Sequence, residues 1–206
     1  MARVERKLLL GTAFVAASLV GLFVAPRDYF VVGTFAATTV MIASAYLVGI
    51  RETRKKSFPA ALAAGGASAV ALYVVFYAGN AGVHALNVPG LSTSDEGSIY
   101  SLIASPSNPL ALQVAVLVFD AVGYEAYFRG ALQGRLAGRL GVGSAFAVAL
   151  FDAALHLATM NPLWVGTTFV ADSVWGITWY YGGGVRSSMA SHFLWDLAIF
   201  VIRPIT

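Results

Sequence analysis

Three pairs of ionisable side chains share a spacing of four residues inside hydrophobic stretches of this sequence. The pairs are Glu125 with Arg129, Asp152 with His156, and His192 with Asp196. Residues four apart in a helix lie on one face, about one turn apart. Ionisable groups are costly inside a bilayer, so they usually face a protein interior or a wet cavity and serve a function. The pairs therefore predict one polar pocket to which three helices contribute.

The residue types in these pairs suit hydrolysis of an amide. A carboxylate and an imidazole beside one water can remove its proton and make a nucleophile. A second imidazole with a carboxyl or amide can stabilise the oxyanion formed at the scissile carbonyl. Alternatively, two histidines and a carboxylate can hold zinc with an open coordination position. The candidate ligands would then be Glu125, His156 and His192.

Composition places these residues in an integral, multi-pass membrane protein. The 206-residue chain is 58% hydrophobic and only 11% charged, whereas a soluble domain carries about 25% charged residues. The sequence contains no cysteine, which excludes disulfides and thiol catalysis. We expect a lipid bilayer as its environment and no nucleic-acid partner.

Apolar runs of about 17–25 residues mark candidate transmembrane helices. They predict an all-α polytopic bundle of about seven spans, at residues 8–25, 29–50, 59–79, 109–134, 142–160, 163–182 and 186–202. We expect one compact membrane domain. Residues 1–108 would supply N-terminal helices and an outer loop, and residues 109–206 the catalytic helix core. Small residues at 63–68 should let the third helix approach a neighbour closely.

The basic residues predict that the N-terminus is cytoplasmic, by the positive-inside rule. With that orientation, Arg27 and Arg203 lie on the opposite side, together with a loop over about residues 80–108 that has no Lys or Arg. His84 is expected in that loop, and the segment 98–105 could form a short interfacial helix. The cytoplasmic segments hold Arg3, Arg6, Lys7, Arg51, Arg54, Lys55, Lys56, Arg129, Arg135, Arg139 and Arg186.

Three segments resemble the motifs of a known family: GYEAYFRG (123–130), AFAVALFDAALHLA (145–158) and SSMASHFLWDL (187–197). The family is CPBP, the CAAX-type intramembrane endopeptidases, a group that also includes bacteriocin-processing and immunity-associated proteins. Its pattern is Glu-Glu-x-x-x-Arg, then Phe-x-x-x-His, then His-x-x-x-Asn or Asp. The resemblance covers about residues 110–200.

The resemblance implies an all-helical bundle with a conical cavity that opens to the cytoplasm. It implies hydrolysis of a peptide bond in a membrane-associated peptide or protein, which could be prenylated. Glu125 matches the second glutamate and Arg129 the arginine. His156 would help to activate water, and His192 with Asp196 would support the oxyanion. No cofactor is required in this glutamate-type mechanism, and zinc is the alternative.

Two positions depart from the family pattern. Tyr124 stands where the family has its first glutamate, and Asp152 stands at the phenylalanine of the second motif. A tyrosine, with an unperturbed pKa of about 10, is a poor base at neutral pH. Either Glu125 or Asp152 therefore takes the role of the base, or the site has lost proteolysis. Asp152 could both orient His156 and reach a shared water.

Three other functions remain open from the residues alone. A catalytically impaired scaffold, immunity or regulatory membrane protein would explain Tyr124. A lipid-phosphate phosphatase would use Arg186, His192 and Asp196, although the other two motifs of that family are missing. A proton-coupled transporter would use the carboxylates and histidines as a relay. Asp120, one turn before Tyr124, is expected to bond its phenol, and Asp172 has no partner at this spacing.

Overall fold

Helices form the secondary structure of this chain throughout the residues that the computed structural model describes, which are 2–52, 55–86, 93–103 and 108–205. No strand occurs in these ranges. A helix satisfies its backbone hydrogen bonds within one segment, and a bilayer offers no water that could do so instead. The predicted all-α fold class is confirmed.

The described part of the chain contains a series of α-helices, two of which continue as wider π-helix. A 3₁₀ turn, Arg27–Tyr29, precedes α2, and another, Leu157–Thr159, extends α7. The π-helical stretches are Glu125–Gln133, between α5 and α6, and Leu197–Ile202, after α9. The α-helices are α1 (Ala2–Val24), α2 (Phe30–Val48), α3 (Phe58–Leu86), α4 (Thr93–Ile103), α5 (Leu110–Tyr124), α6 (Gly134–Leu140), α7 (Gly143–His156), α8 (Pro162–Gly182) and α9 (Val185–Asp196).

Within the described residues, 5 helices are long and apolar enough to cross a membrane. They are Val4–Val24, Arg27–Val48, Phe58–Leu86, Leu110–Leu140 and Val185–Ile202. The predicted span at 142–160 corresponds to a shorter apolar helix, Gly143–Thr159, and the one at 163–182 corresponds to α8. The chain is thus a multi-pass helical membrane protein, and the count of seven spans stays a prediction.

The predicted outer loop at 80–108 is wrong in part. Helix α3 continues to Leu86, so His84 lies on a helix. The prediction ended the helix where the apolar run ends, but apolar content indicates only which residues a membrane can cover. A helix continues as long as its backbone hydrogen bonds do, and no proline interrupts residues 80–86. The predicted short helix at 98–105 is present as far as Ile103, as part of α4, and its location at the membrane interface stays a prediction. Residues 87–92 and 104–107 lie outside the described residues, as does Arg54.

A group of charged side chains lies inside the bundle, and apolar side chains cover the outside of the helices between their ends. Glu125, Arg129 and Asp152 are each 0% exposed, while Leu9 is 70% and Leu150 is 65% exposed. This arrangement suits a hydrocarbon solvent, in which exposed leucine costs nothing and exposed charge is expensive. The ionisable residues therefore share one interior site.

Small residues set the close helix contacts that shape this interior. A Cβ on Gly65 of α3 would lie 2.6 Å from the carbonyl oxygen of Ser187 and 2.7 Å from Ala190 Cβ, both on α9. A Cβ on Gly176 of α8 would lie 2.6 Å from Ala145 Cβ on α7. These contacts hold α3 close to α9 and α8 close to α7, and α7, α8 and α9 each carry one or more of the interior charges. The expected close approach of the third helix is confirmed.

We expect Gly65→Val to destabilise the protein by about 1–3 kcal/mol, because the added methyl groups would overpack the contact between α3 and α9. The melting temperature of the detergent-solubilised protein measures this effect. Gly66→Val is the matched control, since a Cβ at Gly66 meets no atom within 4 Å. Equal melting temperatures for the two variants would contradict the packing described here.

Candidate active site

The π-helical stretch Glu125–Gln133 lies at the centre of the site. Single-turn π-bulges within α-helices are rare and occur frequently at functional sites. Here the wider turn carries Glu125 and Arg129, whose Oε2 and Nε atoms are 3.4 Å apart. Both side chains are fully buried. The first predicted pair is therefore present as an ion pair inside the bundle.

Glu125 also joins this stretch to α9. Its Oε1 atom lies 2.9 Å from Nδ1 of His192. One carboxylate oxygen thus contacts an imidazole and the other a guanidinium. Each oxygen of Glu125 therefore contacts a basic side chain, and the contact with Nδ1 fixes the position of His192.

The imidazole of His192 is held on its other edge and on one face as well. Its Nε2 atom lies 3.3 Å from Oδ2 of Asp196, so the third predicted pair is present. The indole of Trp175 stacks on the ring, with centroids 3.7 Å apart and planes 13° from parallel. Two carboxylates and one indole therefore determine the orientation of this histidine.

The second predicted pair is also one turn apart on α7, but the contact that orients the histidine is different from the expected one. Nδ1 of His156 lies 3.0 Å from the backbone carbonyl oxygen of Asp152, whereas the distance to carboxylate Oδ1 is 3.7 Å. The ring of Phe23 packs on His156 at 4.4 Å between centroids. Because the carbonyl oxygen can only accept a hydrogen bond, Nδ1 of His156 carries the proton that it donates, and Nε2 carries the lone pair.

The side chain of Asp152 accepts a hydrogen bond from the phenol of Tyr124. The expectation that Asp120 would bond this phenol is wrong. Asp120 Oδ1 instead accepts from Thr38 Oγ1 of α2 at 3.1 Å. Tyr124 and Asp120 are one turn apart in α5, but their hydrogen-bond partners lie on different helices, α7 and α2 respectively. The two positions that depart from the family motifs are therefore in direct contact.

Asp172 is the charged site residue that spacing did not place. Its Oδ1 atom lies 2.5 Å from Nη2 of Arg129, and its carboxyl also meets that of Asp152. The sequence feature that could have identified Asp172 as a site residue is its position as a lone aspartate in a hydrophobic helix. Its partner is on a different helix, so no i,i+4 pattern could reveal it.

Arg129 has a further contact through Gln133, which sequence reasoning also missed. Nη1 of Arg129 donates to Gln133 Oε1 at 3.5 Å, and Gln133 Nε2 donates to the carbonyl oxygen of Gly176 at 2.9 Å. The guanidinium thus connects the π-helical stretch to α8 by an ion pair with Asp172 and by this relay.

An open cavity of about 500 Å³ adjoins the site. Seven polar or titratable side chains of the site line it, and they are Asp120, Tyr124, Asp152, His156, Asp172, His192 and Asp196. Glu125 and Arg129 are not among the lining residues. The predicted site residues thus divide into a set that faces the cavity and a buried pair behind it.

This geometry determines what the described residues could do chemically. His156 offers a lone pair at Nε2, which suits removal of a proton from water, and the carboxylate of Asp152 lies 3.7 Å from Nδ1 of the same ring. Ligand atoms of Asp120, His192 and Asp196 all lie within 4.8 Å of one another, so these three could hold a metal ion. The predicted ligands Glu125 and His156 are not in that group.

Comparison with known proteins gives a family for the region that contains the site. Residues 106–198 match the family described as Type II CAAX prenyl endopeptidase Rce1-like. No curated protein and no solved structure matches the chain. The family match supports the assignment to the CPBP intramembrane endopeptidases that the motifs predicted. The matched family is described as one of prenyl endopeptidases, and the matched residues contain all three motifs.

We expect Asp172→Asn to lower the free energy of unfolding of the solubilised protein. Removal of one partner from a buried ion pair costs about 3–5 kcal/mol, because the remaining charge loses its compensation. The loss here should lie near the lower limit, since Glu125 still faces Arg129. Asp28→Asn, at an exposed position, is the matched control. A stability equal to that of the parent protein would show that Asp172 does not neutralise Arg129.

Proposed function

We propose that this protein is an intramembrane endopeptidase that hydrolyses a peptide bond of a membrane-associated substrate with an activated water. The observation that carries the proposal is that His156 and His192 line one cavity, each with Nδ1 held by an oxygen acceptor. A fixed Nδ1 gives each ring a defined orientation. Nε2 of His156 is then available for chemistry, while Nε2 of His192 lies beside Asp196.

We assign the removal of the proton from water to His156, assisted by Asp152. Nδ1 of His156 is engaged by the backbone carbonyl of Asp152 at 3.0 Å, so Nε2 can accept a proton. The carboxylate of Asp152, one turn earlier on the same helix face, can bind the same water and stabilise the charged imidazole. Phe23 beside His156 limits access of bulk water.

The direct contact between Tyr124 and Asp152 explains the departures from the family pattern. The family has a carboxylate at the position of Tyr124 and an aromatic ring at that of Asp152. In this chain the two residue types are exchanged between α5 and α7, and their side chains still meet. We propose that Asp152 supplies from α7 the carboxylate that the family supplies from the preceding helix.

His192 and Asp196 would stabilise the tetrahedral intermediate. Both line the cavity, with Nε2 of His192 on the side of Asp196. A ring that is fixed by Glu125 and Trp175 needs no reorganisation when charge develops on the substrate oxygen, which is the condition for effective electrostatic catalysis. Glu125 and Arg129 are positioning residues in this scheme, because they act through the residues that line the cavity. Asp172 lines the cavity and positions Arg129 through their ion pair.

The site geometry bears differently on the phosphatase, zinc and scaffold hypotheses. Arg186, required by the phosphatase hypothesis, is exposed at the start of α9 and does not line the cavity. Zinc remains the alternative to a metal-free mechanism, and Asp120, His192 and Asp196 are the described residues that could hold it. Such an ion would act as a Lewis acid on the carbonyl. An inactive scaffold is the outcome if the experiments below detect no cleavage.

Purified protein in proteoliposomes should cleave a membrane-anchored peptide library that includes prenylated members. His156→Ala should lower turnover by roughly 10²–10⁴-fold, which is the usual contribution of a general base. Glu125→Gln should also lower turnover, because His192 loses its charged partner. Mass spectrometry of the released fragments measures both effects.

His84→Ala is the matched control, since His84 lies on α3 and does not line the cavity. Full activity of both the His156 and the Glu125 variants would rule out this assignment. Activity that resists chelators would favour the metal-free mechanism, and activity that is lost with chelators and restored by Zn²⁺ would favour the zinc alternative.

The exchange of residue types predicts rescue by a double variant. Asp152→Phe alone should lose about 10²-fold or more in turnover, because it removes the carboxylate beside His156. Tyr124→Glu combined with Asp152→Phe should recover most of this loss, because it returns the carboxylate from α5. The same cleavage assay measures the recovery.

Tyr124→Phe is the control for this pair, because it removes only the hydroxyl group that donates to Asp152. It should retain more activity than Asp152→Phe. If the double variant folds, as judged by its melting temperature, and is no more active than Asp152→Phe, then the two positions do not share one role.

A further inference from the structure

The cavity reaches one end of the helix bundle. From the polar residues in the bundle interior it extends past the last turns of α1 and α3 and the first turns of α2 and α8. Phe23 and Phe30, at the ends of α1 and α2 that face each other along the chain, both pack on Trp164 near the start of α8, with centroids 5.5 and 6.1 Å apart. The end of the bundle that the cavity reaches, called its mouth below, is therefore the end where α1 finishes and α2 begins.

The opposite end of the bundle is defined by contacts between three connections. Arg135, in α6, donates to the backbone carbonyl oxygen of Gly49, just after α2, at 2.7 Å. The amide of Arg51 donates to the carbonyl oxygen of Gly130 at 2.9 Å. A Cβ on Gly183, at the end of α8, would lie 3.1 Å from Lys56 Cβ. The segments after α2, α6 and α8 thus share one end.

The first turns of α1 belong to this same end, because α1 packs against α2 in the opposite direction. A Cβ on Gly11 would lie 3.4 Å from Ser44 Cβ and 3.5 Å from Val48 Cγ2, near the end of α2. Among the described residues, the cavity end has Arg27 and Arg203. The opposite end has Arg6, Lys7, Arg51, Lys55, Lys56, Arg135, Arg139 and Arg186.

We infer that the cavity opens on the non-cytoplasmic side of the membrane. Lys and Arg near the ends of spans are retained on the cytoplasmic side, and here they gather at the end away from the mouth. The positively charged end and the mouth are on opposite sides of one bundle, so the cytoplasmic opening that the family resemblance implies does not fit this chain.

The inferred orientation does not depend on the proposed peptidase function. Only the conclusion about the substrate, which follows here, rests on that function. The substrate is then a membrane-anchored peptide segment presented at the non-cytoplasmic surface. A peptide that enters past Phe23, Phe30 and Trp164 reaches His156 and Asp152 after an apolar, aromatic passage. Apolar side chains of a membrane-embedded segment fit such a passage, because it offers few hydrogen-bond partners.

The test uses the absence of cysteine from the sequence, which makes every introduced thiol the only one in the chain. Single-cysteine variants are made at the cavity wall (Thr168→Cys), at the exposed cavity end (Asp28→Cys) and at the basic end (Lys55→Cys and Arg139→Cys). Intact cells are treated with a membrane-impermeant maleimide. We expect labelling of the first two variants, and labelling of the last two only after permeabilisation.

The reverse pattern, or equal labelling of both ends in intact cells, would overturn the inference. Labelling of permeabilised cells establishes that each thiol is reactive. Gly166→Cys is a second cavity-wall position, since a Cβ there meets no atom within 4 Å. The experiment needs no catalysis. A protein that cleaves nothing but is labelled at Asp28→Cys from outside keeps this orientation and loses only the peptidase proposal.

Discussion

The buried guanidinium of Arg129 is the group on which the rest of the site depends. A lone charge in an apolar interior would cost many kcal/mol, so the helices must bring carboxylates to it. Glu125 does so from the same helical turn and Asp172 from α8. Glu125 in turn fixes His192 on α9. The need to neutralise one charge thus holds three parts of the bundle in a defined arrangement around the cavity.

The site separates the task of positioning from the task of contact with substrate. Glu125 and Arg129 are fully buried and do not reach the cavity, while His156 and His192 line it. Each imidazole has its Nδ1 committed to a fixed oxygen, one to a backbone carbonyl and the other to a carboxylate. Such preorganisation is what a hydrolytic site requires, because the protein then need not reorganise as charge develops.

The placement of charge along the bundle has a second consequence. Acidic groups concentrate in the bundle interior, at the inner end of the cavity, and basic groups concentrate at the end of the bundle opposite the mouth. The first distribution serves the site, and the second determines how the chain inserts into the membrane. Under the proposed function and orientation, one helix bundle carries both distributions, so the same sequence that forms the proposed catalytic groups also sets the side from which a substrate approaches.

Hydropathy and helical spacing are local properties, so the fold class, most helices and the three i,i+4 pairs could be predicted from the amino-acid sequence. It also identified Tyr124 and Asp152 as departures from the family motifs. The packing of the helices was needed to show that these two residues are in contact, that Asp172 neutralises Arg129 and that Asp120 accepts a hydrogen bond from Thr38. Those contacts join different helices, and the distance along the chain between their partners carries no information about them. The same reason explains why spacing could predict a shared pocket but could not separate the residues that face the cavity from those behind it.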